Sequence, residues 1–328
     1  MGDLQTMKAP ILALALLALP AQAKEPVLNL PIDCTLGQSC YVQNFVDTDP
    51  SAGAADFTCG SLSYDGHKGT DFALPTTVDL WKGVDVLSAA PGTVIATRDG
   101  MEDFPQGTEG APDISGRECG NGVVIDHGAG WTSQYCHMMN GSIAVQKGQK
   151  APKGAPLGKV GLSGQTEFPH VHFVLRKDGK VIDPFNPDGV ISCGAPAPTG
   201  TLWQDPLIYQ PGGILSVGVA TAMPSYEAVK SGAAAETRFT DESPALVVFG
   251  FAFGGRAGDV MRLSLGGPQG SLVDQDIPLD KDQAQFFRGL GKKRTVPWPA
   301  GDYKGFVQLI RNGTVIDRRE IDFTVRAP

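Results

Sequence analysis

Two imidazoles stand two residues apart in Pro169-His170-Val171-His172-Phe173-Val174-Leu175, inside a run that is otherwise apolar and β-prone. In an extended strand alternate side chains share a face, so His170 and His172 point one way while Val171 and Phe173 point the other. An edge strand with two solvent-facing histidines would show the same pattern, so the chemistry depends on partners elsewhere. One lies upstream in Tyr64-Asp65-Gly66-His67-Lys68-Gly69-Thr70-Asp71, where His67 and Asp71 stand four apart. Gly66, Gly69, Thr70 and the approaching Pro75 argue against a helix, which leaves a bent loop entering a strand. Imidazole nitrogens and carboxylate oxygens are common zinc ligands, and catalytic zinc sites keep three protein ligands and one open position. His67, Asp71 and one histidine of the 170/172 pair would make such a set.

A third partner is His137, in the alternating stretch Trp131-Thr132-Ser133-Gln134-Tyr135-Cys136-His137-Met138. Asn121 to His127 forms a second such stretch, and the two flank Gly128-Ala129-Gly130, which predicts a hairpin. His127 sits at that turn and reads as structural. The other four of the five histidines fall into three short segments, each at the end or start of a β-like run.

Taken in order, His67-x-x-x-Asp71, Tyr135-x-His137 and His170-x-His172 resemble the three motifs of the lysostaphin/LytM-type zinc endopeptidases. Their surroundings are similar too: Gly66 before the first motif, Pro91-Gly92-Thr93-Val94 after it, and Gly120-Asn121-Gly122 and His127-Gly128 before the second. Lys147-Gly148, Lys153-Gly154, Leu157-Gly158 and Val160-Gly161-x-Ser163-Gly164 precede the third, and Asp183-Pro184 follows it. The likeness spans roughly residues 60 to 187. It implies a mainly β catalytic domain, an antiparallel sheet with a lipoyl-like duplicated hybrid motif, and one Zn2+ per chain held by His67, Asp71 and His172. His137 and His170 then become the catalytic pair, dividing proton transfer and charge stabilisation between them, with the assignment of each left open. The implied substrate is a peptide bond in the stem or crosslink of peptidoglycan. One departure stands out: Val174 occupies a position where the family often has Glu, and it shares the face of His170 and His172 unless the strand bends.

The chain begins with Lys8, an apolar stretch from Ile11 to Leu19, and Pro20-Ala21-Gln22-Ala23. This reads as a secretory signal peptide over residues 1–23, too short in its apolar part to span a bilayer. Export to the periplasm or the medium follows, and no later segment resembles a transmembrane helix. Six cysteines fit an oxidising compartment. They allow fifteen pairings. The favoured one joins Cys34 to Cys40, Cys119 to Cys136 across the hairpin, and Cys59 to Cys193. The formal net charge of -8 argues against a nucleic-acid partner. Cell-wall polymer is itself anionic, so contact with it would rest on local pockets.

Residues 24–193 are expected to form the peptidase domain, with residues 24–66 as a disulfide-stapled, loop-rich lead-in. Short strands fall around Pro91-Gly92. Residues 99–118, with Glu102, Asp103, Glu109 and Asp113 among glycines and prolines, read either as a solvated acidic insertion or as a cleft wall. A linker at 194–202 precedes residues 203–328, where strands are expected at Leu246–Phe253, Met261–Leu265, Phe306–Ile310 and Ile316–Val325. Asn312-Gly313 marks a hairpin, and Ser225 to Glu236 reads as helical. This pattern suggests an antiparallel, immunoglobulin-like β-sandwich. With no His or Cys after Cys193, it would carry no metal chemistry but could hold cell wall or a protein partner. Two rivals remain: a catalytically weak or inactive wall-binding regulator, expected to lack metal ligands, and a structural zinc site, expected to close with four protein ligands.

Overall fold

The computed structural model describes residues 25–191, 193 and 200–327. The leader read at residues 1–23 and most of the linker lie outside them. Ten strands build the N-terminal part: β1 (Tyr41–Asn44), β2 (Thr70–Ala73), β3 (Asp85–Leu87), β4 (Gly92–Arg98), β5 (Asn121–Gly128), β6 (Trp131–Met138), β7 (Lys150–Ala151), β8 (Pro156–Lys159), β9 (His170–Lys177) and β10 (Lys180–Ile182). Eight of them make one antiparallel sheet in the order β1-β2-β9-β6-β5-β4-β7, with β10 folded back on β9, and β3 pairs separately with β8. A short helix, α1 (Thr77–Leu80), follows β2.

The alternation of β9 sets the two faces of this sheet. Val171, Phe173 and Leu175 enter a core shared with Phe72 of β2 and Tyr135 of β6. The intervening positions His170, His172, Val174 and Arg176 line the opposite, cleft side. Val174 is therefore on the face of the histidine pair. The lead-in is less loop-like than expected, because Tyr41–Asn44 joins the sheet as its edge strand against β2. All three favoured disulfides are present: Cys34–Cys40, Cys59–Cys193 and Cys119–Cys136.

The remaining strands are β11 (Gly213–Ala220), β12 (Phe239–Thr240), β13 (Ala245–Gly255), β14 (Val260–Gly267), β15 (Gly270–Pro278), β16 (Gln283–Lys293), β17 (Gly301–Arg311) and β18 (Thr314–Arg326). They form a three-stranded sheet, β11-β13-β16, and a five-stranded sheet, β12-β18-β17-β14-β15. Both sheets feed one core, with Leu246, Val248 and Phe286 from the first meeting Leu263, Val307 and Leu309 from the second. This is a sandwich, antiparallel as expected except where β12 runs parallel to β18. The β17–β18 turn lies at Asn312 and Gly313, both left-handed at φ 49° and 76°. The expected helix is shorter than its sequence signal: α2 (Tyr226–Ser231) starts on a Ser225 cap and stops at left-handed Gly232.

The two parts are packed together. The ring of Tyr41 lies 4.5 Å from that of Phe253, and Gln285 Nε2 donates to Tyr41 Oη at 2.8 Å. Phe253 belongs to the core of the first part although it sits on β13.

Candidate metal centre and cleft

Asp71 and His172 meet because β2 and β9 pair with these two residues directly opposite each other. His67 reaches them from the loop before β2. Its Nε2 lies 3.2 Å from Asp71 Oδ1 and 3.2 Å from His172 Nδ1, and His172 Nδ1 lies 2.7 Å from Asp71 Oδ1. The three ligand atoms all fall within 4.8 Å of one another. His67 and Asp71 are buried, while His172 is part exposed to the cleft.

The protons of this cluster are constrained. The carbonyl of Phe45 accepts from His67 Nδ1 at 2.7 Å, so a neutral His67 turns an electron pair, not a hydrogen, toward the Asp71 carboxylate. Two acceptors then face each other at hydrogen-bond distance, a contact that a proton on Nε2 or a metal cation between them would satisfy. Two imidazole nitrogens and a carboxylate oxygen are a zinc-type donor set with one tetrahedral position left toward the cleft. Asn44 Nδ2 donates to the second oxygen of Asp71 at 3.1 Å and fixes the carboxylate's orientation. Burial pushes Asp71 up, yet the adjacent His67 and His170 outweigh it and hold the carboxyl well below its usual range. Burial pushes His67 down, and Asp71 more than reverses that. For His172 burial prevails and the ring is lowered.

His137 and His170 stand beside the cluster, their ring centres 4.7 Å apart. Neither is in the three-atom ligand set, although His170 Nε2 comes within 3.5 Å of Asp71. The carbonyl of Ser163 accepts from His137 Nδ1 at 2.8 Å, and the carbonyl of Phe168 accepts from His170 Nδ1 at 2.9 Å. Each neutral ring is thereby left with an electron pair at Nε2. Burial, reinforced by His170 and His172, holds His137 well below the ordinary imidazole value, so it is neutral at neutral pH. His137 also adopts a left-handed backbone, φ 61°, at the end of β6, an unfavourable conformation fixed by its N–H bond to Cys119 O. His127 is apart from the site, bonded to Pro91 O and Ser133 Oγ.

The site opens into a cleft of about 620 Å3 whose lining includes Tyr64, Gln134, Val174 and Arg176. The Cys119–Cys136 disulfide forms part of its wall. Segment 99–118 is pinned rather than loose: Asp103 accepts from Leu162 N and Asn140 N, and Phe104 N donates to Leu162 O. Its continuation, Glu118 and Cys119, borders the cleft. A second groove, about 640 Å3, runs between the eight-stranded sheet and the sandwich and shares Asn44, Tyr64, Glu167 and Phe168 with the first. Sequence reasoning missed Asn44 and Arg176. Asn44 lies on an edge strand hidden among turn residues, whereas the alternation of β9 could have found Arg176.

One antiparallel sheet and the loop before β2 thus bring together two imidazoles and a carboxylate, with two further imidazoles beside them. Residues 65–184 match the profile of peptidase family M23. Over 117 residues, 36% of this chain, it is 32% identical to the peptidoglycan DD-endopeptidase ShyA of Vibrio cholerae, covering 22% of that protein. Over 108 residues, 32% of this chain, it is 33% identical to the murein hydrolase activator EnvC of Escherichia coli, again covering 22%. A solved zinc-containing peptidase from Vibrio cholerae is 24% identical, with a TM-score of 0.30, over 48% of this chain and 39% of that one. The chain thus spans about a fifth of the length of these curated relatives.

Proposed function

We propose that the protein is a zinc-dependent endopeptidase that hydrolyses peptide bonds in peptidoglycan stem peptides or crosslinks. The observation that carries this is the convergence of His67, Asp71 and His172 on one point beside two further imidazoles. The named activity of ShyA points to the same substrate class. In this reading residues 24–193 are the peptidase domain, 194–202 a linker and 203–328 a sandwich that holds wall polymer or a protein partner. Three disulfides favour an exported chain, periplasmic or secreted. Among the described residues no helix is long and apolar enough to cross a membrane.

His67, Asp71 and His172 would hold the zinc. Bound there, zinc supplies Lewis acidity, polarising a scissile carbonyl and lowering the pKa of water toward ~7. His170, with its Nδ1 proton committed to Phe168 O, accepts a proton from the attacking water at Nε2. His137 in its present tautomer also offers an electron pair at Nε2, so it stabilises negative charge only as an imidazolium, after taking up a proton there. The proton His137 takes up is the one His170 has drawn from the water; burial disfavours the charged His137, so that proton goes on to the leaving amine and both rings return to neutral.

A regulator without activity is the competing function, and the name of EnvC gives it substance. Retention of all three ligand residues favours the enzyme. Purified protein is expected to contain about one zinc per chain by elemental analysis, and His67→Ala or Asp71→Ala to lose it. His170→Ala should keep metal and fold but release no fragments from purified sacculi, as read by mass spectrometry. Digestion by His170→Ala at the parent's rate would overturn its role. A zinc-loaded parent that leaves sacculi intact would support the regulator instead.

A further inference from the structure

Four alternate positions of β9 line the cleft: His170, His172, Val174 and Arg176. The first two belong to the metal centre, and Val174 brings no polar atom. Arg176 lies four residues beyond His172, about 14 Å along the strand at the usual rise of about 3.4 Å per residue. That is the length of a short extended peptide laid beside β9.

Arg176 is half-buried, and among the described residues no carboxylate comes within ion-pair distance of it. Among the described residues its one side-chain bond is Nη1 donating to Gln134 Oε1 at 2.9 Å. Gln134 in turn donates through Nε2 to Cys119 Sγ at 3.3 Å, so the disulfide anchors the residue that orients the guanidinium. A guanidinium has five N–H donors in a planar fork that matches a carboxylate in two-point contact. Here most of that capacity is unspent, and burial lowers the pKa of the group with no anion to compensate. Structural arginines are retained by partners, and this one has none but an amide. The protein as a whole is acidic, at a net charge of -8, so an anionic substrate must be met by a local cation.

We propose that Arg176 is a specificity residue that recognises a free carboxylate on the arm of the peptide substrate lying along β9, beyond the metal centre. This rests on the endopeptidase function proposed above and adds to it the chemistry of one subsite. Lys177, the next cation, falls on the other side of the alternation and is engaged by Asp178 and Ala129 O. It does not compete for the role.

The test uses two synthetic crosslinked stem-peptide dimers identical except that one arm ends in a free carboxylate or a carboxamide. The zinc-loaded full chain is expected to favour the carboxylate form in kcat/KM by about tenfold or more, the scale of a charge-assisted hydrogen bond. Arg176→Gln should cut that preference to less than about twofold, and Arg176→Lys should keep an intermediate share, since a point charge replaces a fork. Zinc content should be the same in all three. Binding of both peptides to His170→Ala, with and without Arg176→Gln, is measured by calorimetry as a readout free of turnover. Should no peptide be cleaved while the carboxylate form still binds more tightly in an Arg176-dependent way, the endopeptidase function falls and the subsite stands. Equal binding of the two peptides, or a preference that survives Arg176→Gln, overturns the subsite.

Discussion

A single carbonyl decides what His67 can do. Because Phe45 O takes the Nδ1 proton, the neutral ring has an electron pair at Nε2, the form in which it could act as a ligand. Gly69 makes room for the second imidazole. A Cβ there would lie 2.7 Å from His172 Cε1 and 2.7 Å from Phe173 O. Gly69→Ala is therefore expected to push His172 off the centre and weaken metal binding by about 10–100-fold without removing a ligand. Competition with a chromophoric chelator reads that change. Asp183 carries the pH dependence that lies away from the metal. Its Oδ1 accepts from Phe185 N at 2.9 Å, its Oδ2 is buried without a partner among the described residues, and burial pushes the carboxyl up to about 7. Between the unfolded value near 4 and about 7, the folded state keeps a proton that the unfolded chain has lost, so stability falls as pH rises through that window and levels off above it. Asp183→Asn should flatten this slope, raising the melting temperature at pH 8 while changing it little at pH 4.

Elements with a strict period are the legible ones. β9 declares itself because two histidines alternate with Val171, Phe173 and Leu175, and the β5–β6 hairpin because two alternating runs flank Gly128-Ala129-Gly130. The candidate cluster could be read from residue types and order as His67, Asp71 and one histidine of the 170/172 pair, with the choice of His172 resting on the resemblance. What sequence could not give is orientation: the left-handed turn at His137 and the carbonyl partners of His67, His137 and His170 depend on backbone that tertiary packing places. β1 stays hidden because four residues beside Cys40 are too few to show a period, and β15 and β16 because their exposed faces dilute the apolar signal. Segment 99–118 is held by aspartate contacts to backbone N–H groups, which leave no pattern in composition. The Cys119–Cys136 disulfide, closing a separation of 17 residues, completes that anchoring. Cys119→Ser with Cys136→Ser is expected to cost about 3 kcal/mol by chain entropy, seen as a lower urea midpoint. The same variant should raise KM, because Gln134 loses its sulfur contact.

At the scale of the molecule, the sandwich and the eight-stranded sheet share a side chain. Phe253 comes from β13 but packs in the core beneath the candidate metal centre. Phe253→Ala should lose about 3–5 kcal/mol, and the loss should reach both halves. Trp203, in the core of the first part, and Trp298, in the sandwich core, report on each by fluorescence. Coincident shifts of the two unfolding transitions are expected. A shift confined to the sandwich would show the halves to be independent. With Tyr41 clamped between Phe253 and Gln285, the walls of the groove leading to the candidate metal centre are bonded to one another. Under the proposed endopeptidase function that passage would work as a fixed gauge rather than a jaw: a slack, singly stranded arm of a polymer mesh would thread it, while thick or tightly bundled material would be turned away by calibre alone.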